Sequence, residues 1–94
     1  MTNYESAITR AIIREIGRAR AKYPTYHSGH EGAAVIREEY EELWDGVKAS
    51  KGTHVNGTTA IEAIQVAATA IRFIAELCDE GEFRATLAGF ERTR

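Results

Sequence analysis

The sequence predicts an all-α fold: a helical hairpin with flanking helices, forming an oligomeric four-helix-bundle core. Three observations predict it. Apolar residues recur at spacings of three and four in three long segments, the period of a helix face. There is a single proline and almost no strand-like alternation. The third segment is apolar on two faces, more than one partner helix can cover. With 94 residues the chain is one domain, and a lone copy of that size buries only about 60–65% of its unfolded surface. Self-association, as a homodimer or homotetramer, completes such a core.

The first helix is expected over about 4–21. Ile8, Ile12, Ile16 and Ala19 make one apolar stripe, with Ala11 beside it. Arg10, Arg14 and Arg18 make a basic stripe. Pro24 stops this helix, because the residue before proline is pushed out of the helical region. A connector follows, Tyr23-Pro24-Thr25-Tyr26-His27-Ser28-Gly29.

Ser28 with Glu31 reads as a capping box opening the second helix, expected over 29–49 with Gly52 as a stop signal. Its apolar side carries Ala33, Ile36, Tyr40, Leu43 and Val47, with Trp44 at one edge. The loop that follows contains the turn signal Asn56-Gly57. Thr59 with Glu62 reads as a second capping box, placing the third helix at about 59–79. Ile61, Ile64, Ala68, Ile71, Ala75 and Cys78 form a bundle seam. A polar stripe, Glu62, Gln65, Thr69, Arg72 and Glu76, runs beside it. Gly81 is read as a break, and Phe83, Leu87 and Phe90 as a short fourth helix over about 82–90.

Composition excludes several classes. Charged residues are 28% and apolar residues 44% of the chain, ordinary for a globular protein. No stretch approaches the ~18 apolar residues of a membrane span. The N-terminal residues lack the apolar core of a secretory signal. The lone Cys78 cannot pair within the chain and suits a reducing compartment, so a cytoplasmic location is expected. The net charge is −2, from 12 basic and 14 acidic residues. That balance hides a segregation: residues 1–30 carry +3, residues 31–50 carry −4 and residues 51–94 carry −1.

The acidic middle segment is where chemistry is sought. In Glu38-Glu39-Tyr40-Glu41-Glu42, like charges meet at i, i+3 and i, i+4, which costs roughly 1–2 kcal/mol in all. A divalent cation reverses the sign of that repulsion, and hard cations require several oxygen ligands. Glu39 and Glu42 on one helix, and Glu62 and Gln65 at the same spacing on the next, can supply them. The competing reading is a solvated acidic face moderated by Arg37 and Lys48, with Glu62 spent in its capping box.

His30-Glu31-Gly32, Val35-Ile36-Arg37-Glu38-Glu39-Tyr40-Glu41-Glu42-Leu43-Trp44-Asp45 and Glu62-Ala63-Ile64-Gln65-Val66-Ala67-Ala68 together resemble the MazG-like all-α nucleoside triphosphate pyrophosphohydrolases. The resemblance covers about residues 23–80. That family carries EExxE on one helix and ExxD on the next. Glu38, Glu39 and Glu42 match the first motif, and Glu62 the first acid of the second. Gln65 stands where the family has aspartate; its amide oxygen can ligate a cation but brings no charge.

The resemblance implies a magnesium-dependent enzyme, manganese substituting, that cleaves a nucleoside triphosphate to the monophosphate and pyrophosphate. Glu39, Glu42, Glu62 and Gln65 would hold the metal. Glu38 would orient or deprotonate water. Arg72, Lys48 and Lys51 would meet phosphate oxygens, and Trp44 or Tyr40 the base, with Tyr23, Tyr26 and His27 in a connector that could border a pocket. At helical spacing Trp44 and Tyr40 read more readily as core or interface than as a stacking platform. Gln65 favours a rival, a non-catalytic helical nucleotide-binding or protein-interaction module. A third class, nucleic-acid binding through Arg10, Arg14, Arg18 and Lys22, lacks a helix-turn-helix spacing or a stacking platform. Those side chains fit better as a positive rim beside the acidic site, or as simply solvated charges.

Overall fold

The structure, a computed structural model, describes residues 1–93 as four helices. These are α1 (Asn3–Lys22), α2 (Gly29–Ala49), α3 (Gly57–Leu77) and α4 (Glu80–Arg92), and no strand occurs among the described residues. None of the helices is long and apolar enough to cross a membrane. α3 is the central element: α2 packs along one side of it and α1 along another.

Local chemistry sets each helix end. α1 opens with a reciprocal box in which the Glu5 N–H donates to Thr2 Oγ1 (3.0 Å) and the Thr2 N–H to Glu5 Oε1 (2.7 Å). It ends at Tyr23, whose extended backbone (φ −122°, ψ 144°) is the conformation required before Pro24. At α2 the predicted box closes only halfway. Ser28 Oγ accepts from the Glu31 N–H at 3.1 Å, while the Glu31 carboxylate reaches the His27 N–H at 3.2 Å.

Two expectations about the later helices are corrected. α3 starts two residues before Thr59, because Asn56 Oδ1 accepts the Thr59 N–H at 2.8 Å and takes over the cap. Thr59 is therefore inside the helix and buried, and Glu62 is released from a capping role. Gly81 is no break. Asp79 caps α4 by accepting from the Glu82 N–H at 3.0 Å, and Gly81 sits in the first turn.

Two glycines on α2 let it approach α3 closely. A Cβ at Gly46 would lie 2.6 Å from Thr59 Oγ1, and one at Gly32 would lie 2.7 Å from the Phe73 ring. These contacts lie toward opposite ends of the hairpin and hold the acidic stretch between them.

The core is small. Its buried apolar side chains are Ile16, Ala19, Tyr26 and Ala68, and among the described residues no large side chain is completely buried. The polar stripe of α3 turns inward, with Thr69 and Arg72 buried, while Ile61, Ile71 and Ile74 are exposed. On α2, Tyr40, Trp44 and Val47 are exposed as well. The seam anticipated from periodicity thus lies largely uncovered in the single chain.

Candidate metal centre and adjoining cavity

α2 places Glu39 and Glu42 one turn apart, and α3 places Glu62 opposite them. One carboxylate oxygen from each lies within 4.8 Å of the other two. This is the gathering expected of ligands to a hard cation. Glu39 and Glu62 are half-buried, and Glu42 is exposed. Two oxygens sharpen the point: Glu39 Oε2 and Glu62 Oε2 are buried and have no hydrogen-bond partner. A buried carboxylate oxygen without a partner costs free energy that a cation would return.

The electrostatics agree. Burial raises the Glu39 carboxyl above its ordinary value, and the charges of Glu42, Glu62, Glu15 and Glu38 raise it further. Burial also raises Glu62, and the close approach and charge of the Glu42 carboxylate raise it further. Both carboxyls therefore resist ionisation when no cation is bound.

The cluster borders a cavity of about 660 Å³ walled by α1, α2, α3 and the connector. Glu38, Glu39 and Glu42 lie in its α2 wall; Gln65, Ala68, Thr69 and Arg72 lie in its α3 wall. Gln65 follows Glu62 by one helical turn, so an amide and a carboxylate stand on the same side of α3. Tyr23, Pro24 and Tyr26 form the connector wall.

The cationic groups of the cavity differ from most of those anticipated. Arg18 and Lys22 of α1 line it, while Arg10 and Arg14 of the same stripe do not. Arg18 is held by Glu15, a carboxylate that sequence spacing did not mark as a site group. Lys48, Lys51 and Trp44 are outside the wall. Lys48 instead pairs with Asp45 at 3.3 Å and lies 5.8 Å from the centre of the Trp44 ring. Lys51 is exposed in the α2–α3 loop.

Arg72 is in the wall, but its contacts are structural. It is 3% exposed, its Nε donates to Glu76 Oε2 at 2.8 Å and its Nη2 to the Pro24 carbonyl at 3.1 Å. Its guanidinium stacks 4.7 Å from the Tyr26 ring centre. Glu76 also accepts the Tyr26 N–H at 2.9 Å. This network fastens the connector to α3 and so shapes one end of the cavity. The Tyr26 hydroxyl is buried without a partner. Burial raises its pKa, against the Arg72 charge, so it remains a neutral O–H.

No protein-family model, curated protein or solved structure matches the chain.

Proposed function

We propose that the chain is a magnesium-dependent nucleoside triphosphate pyrophosphohydrolase of the MazG-like kind. The observation that carries this reading is the convergence of Glu39, Glu42 and Glu62 within 4.8 Å, with two buried oxygens lacking partners, beside a cavity of about 660 Å³. The cavity size falls in the range of small-molecule sites. Its mixed lining of carboxylates, cations and aromatic rings fits a triphosphate carrying a base.

Glu39, Glu42 and Glu62 would hold magnesium, with the Gln65 amide oxygen beside them. Bound there, the cation neutralises phosphate charge and polarises the phosphorus. Glu38 stands in the wall beside the cluster and accepts a proton from the attacking water. The water oxygen bonds to the α-phosphorus as the bond to the αβ-bridging oxygen breaks. The products are a nucleoside monophosphate and pyrophosphate. Arg18 and Lys22 attract the polyphosphate and orient it. Tyr23 and Tyr26 offer apolar surface to the base. Lys48, Lys51 and Trp44 would meet the substrate only through another copy or a rearranged loop.

The same reading includes self-association. A compact monomer of 10.4 kDa exposes about 5,400 Å². This chain exposes 7195 Å², about 1,800 Å² more. Its radius of gyration is 15.1 Å, against about 12.4 Å for a compact chain of this length. The exposed apolar side chains Tyr40, Trp44 and Val47 on α2 and Ile61, Ile71 and Ile74 on α3 give a second copy somewhere to pack.

A panel of nucleoside and deoxynucleoside triphosphates assayed for magnesium-dependent pyrophosphate release tests the activity, with Glu42→Ala as control. Release lost in the control supports the reading. Tight magnesium-dependent nucleotide binding without release points to the non-catalytic relative that Gln65 favours. Neither binding nor release overturns both.

A further inference from the structure

We propose that helix α4 is exchanged between copies, docking in the apolar groove between the N-terminal halves of α1 and α3 of a second copy. This rests on the self-association proposed above and names the segment and its seat. The groove has a volume of about 490 Å³ and is walled by Tyr4, Ile8 and Ile12 of α1 with Val55, Ile61 and Ile64. Tyr4, Val55 and Ile61 are 77%, 49% and 55% exposed. An apolar slot this open in water is an unfinished contact.

α4 is the complementary unfinished element. Phe83 and Leu87 stand one turn apart on one side of it, and neither is fully buried. Among the described residues, the extensive helix–helix contacts are those of α3 with α2 and with α1; α4 has none of comparable extent. α4 therefore does not fold back along α3. Its own groove is at the far end of that helix: Ile61 and Leu77 are separated by about 24 Å at 1.5 Å per residue.

A second copy removes that distance. Ala60, Ala63, Ala67, Ile71, Ile74 and Cys78 recur at three- and four-residue steps along one side of α3, and all but Ala67 are exposed. Small residues occupy the N-terminal half of this stripe and isoleucines the C-terminal half. Antiparallel pairing of two such stripes about a two-fold axis sets Ile71 and Ile74 against Ala63 and Ala60 of the other copy, large against small; these alanines also edge the groove, so the exchanged α4 seats toward its α1 side. The same pairing brings the C-terminal end of one α3, and the α4 that follows, to the N-terminal end of the other. The groove lies there. The excess exposed area of about 1,800 Å² per copy is within the share one partner contributes to an obligate homodimer.

The test uses full-length chains carrying Cys78→Ser with either Ile61→Cys or Leu87→Cys, mixed and mildly oxidised. The expected product is a disulfide-linked heterodimer, formed faster in the mixture than in either variant alone. Two further outcomes overturn the exchange while leaving self-association standing. One is a dimer in solution that gives no such cross-link. The other is an Ile61→Cys/Leu87→Cys chain that closes within a single copy. A wild-type monomer by light scattering overturns self-association and the exchange together. As a second readout, Leu87→Glu should weaken the dimer at least about tenfold while helical content is retained, the loss expected for one buried leucine. Unchanged dimer affinity overturns the assignment.

Discussion

Gly46 on α2 faces Thr59 on α3 so closely that a Cβ at Gly46 would lie 2.6 Å from the threonine Oγ1 and 3.0 Å from its Cγ2. In an exposed helix interior, Gly→Ala is favourable by about 1 kcal/mol. Here the sign reverses, because the overlap of a new methyl with a buried neighbour costs about 1–3 kcal/mol. Gly46→Ala should therefore lower unfolding free energy by up to about 2 kcal/mol, the overlap less the helix gain. It should also weaken divalent-cation binding, since Glu42 and Glu62 lie one turn from the clash on their respective helices. Thr59→Ala removes the clashing atoms, so adding Gly46→Ala to that background should cost little. Denaturant titration of the single and double variants, with and without magnesium, checks the pair.

The Arg72–Glu76 pair makes a different prediction. Their side chains are 3% and 8% exposed. Removing one partner leaves the other charge buried, a loss of about 3–5 kcal/mol. Arg72→Met should accordingly unfold much of the protein near body temperature. Adding Glu76→Gln removes the stranded charge and keeps an acceptor for the Tyr26 N–H, so the double variant should recover most of the loss. If Arg72→Met is no worse than a surface substitution, the pair does not hold the connector.

The metal-free protein should show an inverted pH response around its carboxylate cluster. Glu39 and Glu62 have pKa values raised above 4.5. A raised value means their contribution to stability is complete below that pH and is lost as pH climbs through the raised values. Burial alone would raise Glu76, but hydrogen bonds from Arg72 and the Tyr26 N–H, with the Arg72 charge, hold it below 4.5. Its contribution is present above that value and is lost on further acidification. The apo-protein Tm should consequently fall as pH rises above 4.5, and fall again on acidification below it. Millimolar magnesium should abolish the first fall, and Glu39→Gln should flatten it without metal. A Tm that climbs as pH rises above 4.5 in chelator contradicts the desolvated cluster.

Several of these relationships were readable in the sequence, and the reasons are local. The ends of α1 and α2 follow from Pro24 and Ser28, which act on their immediate neighbours. The spacing of Glu39, Glu42 and Glu62 was legible because one-turn offsets on adjacent helices fix which side chains can meet. The start of α3 was not. Asn56 and Thr59 are both good caps, and the choice between them is set by Thr59 packing against Gly46 across the hairpin. The roles of Glu15, Arg18 and Lys22 depend on how α1 rotates against α3, which its own periodicity does not determine. Arg72 looked like a free cation because its fixed partners include the carbonyl of Pro24, 48 residues away in the chain. The exposed Ile71, Ile74, Tyr40 and Trp44 show the converse: periodicity identified apolar faces without saying which of them a single copy covers.

Gln65 offers the most discriminating substitution. It lines the cavity one turn beyond Glu62, whose own carboxyl is already raised by burial and by Glu42. Gln65→Asp adds a carboxylate to a wall that holds Glu38, Glu39 and Glu42. Without metal, the added repulsion should lower stability by a few tenths of a kcal/mol to about 1 kcal/mol. With magnesium the sign should change, because an anionic oxygen binds a hard cation more strongly than an amide oxygen. Calorimetric titration should then show tighter magnesium binding, by about tenfold for each 1.4 kcal/mol gained. Pyrophosphate release should rise with it at limiting magnesium. Weaker metal binding in Gln65→Asp, with the fold intact by circular dichroism, would remove Gln65 from the ligand set and leave the cation to the three glutamates alone.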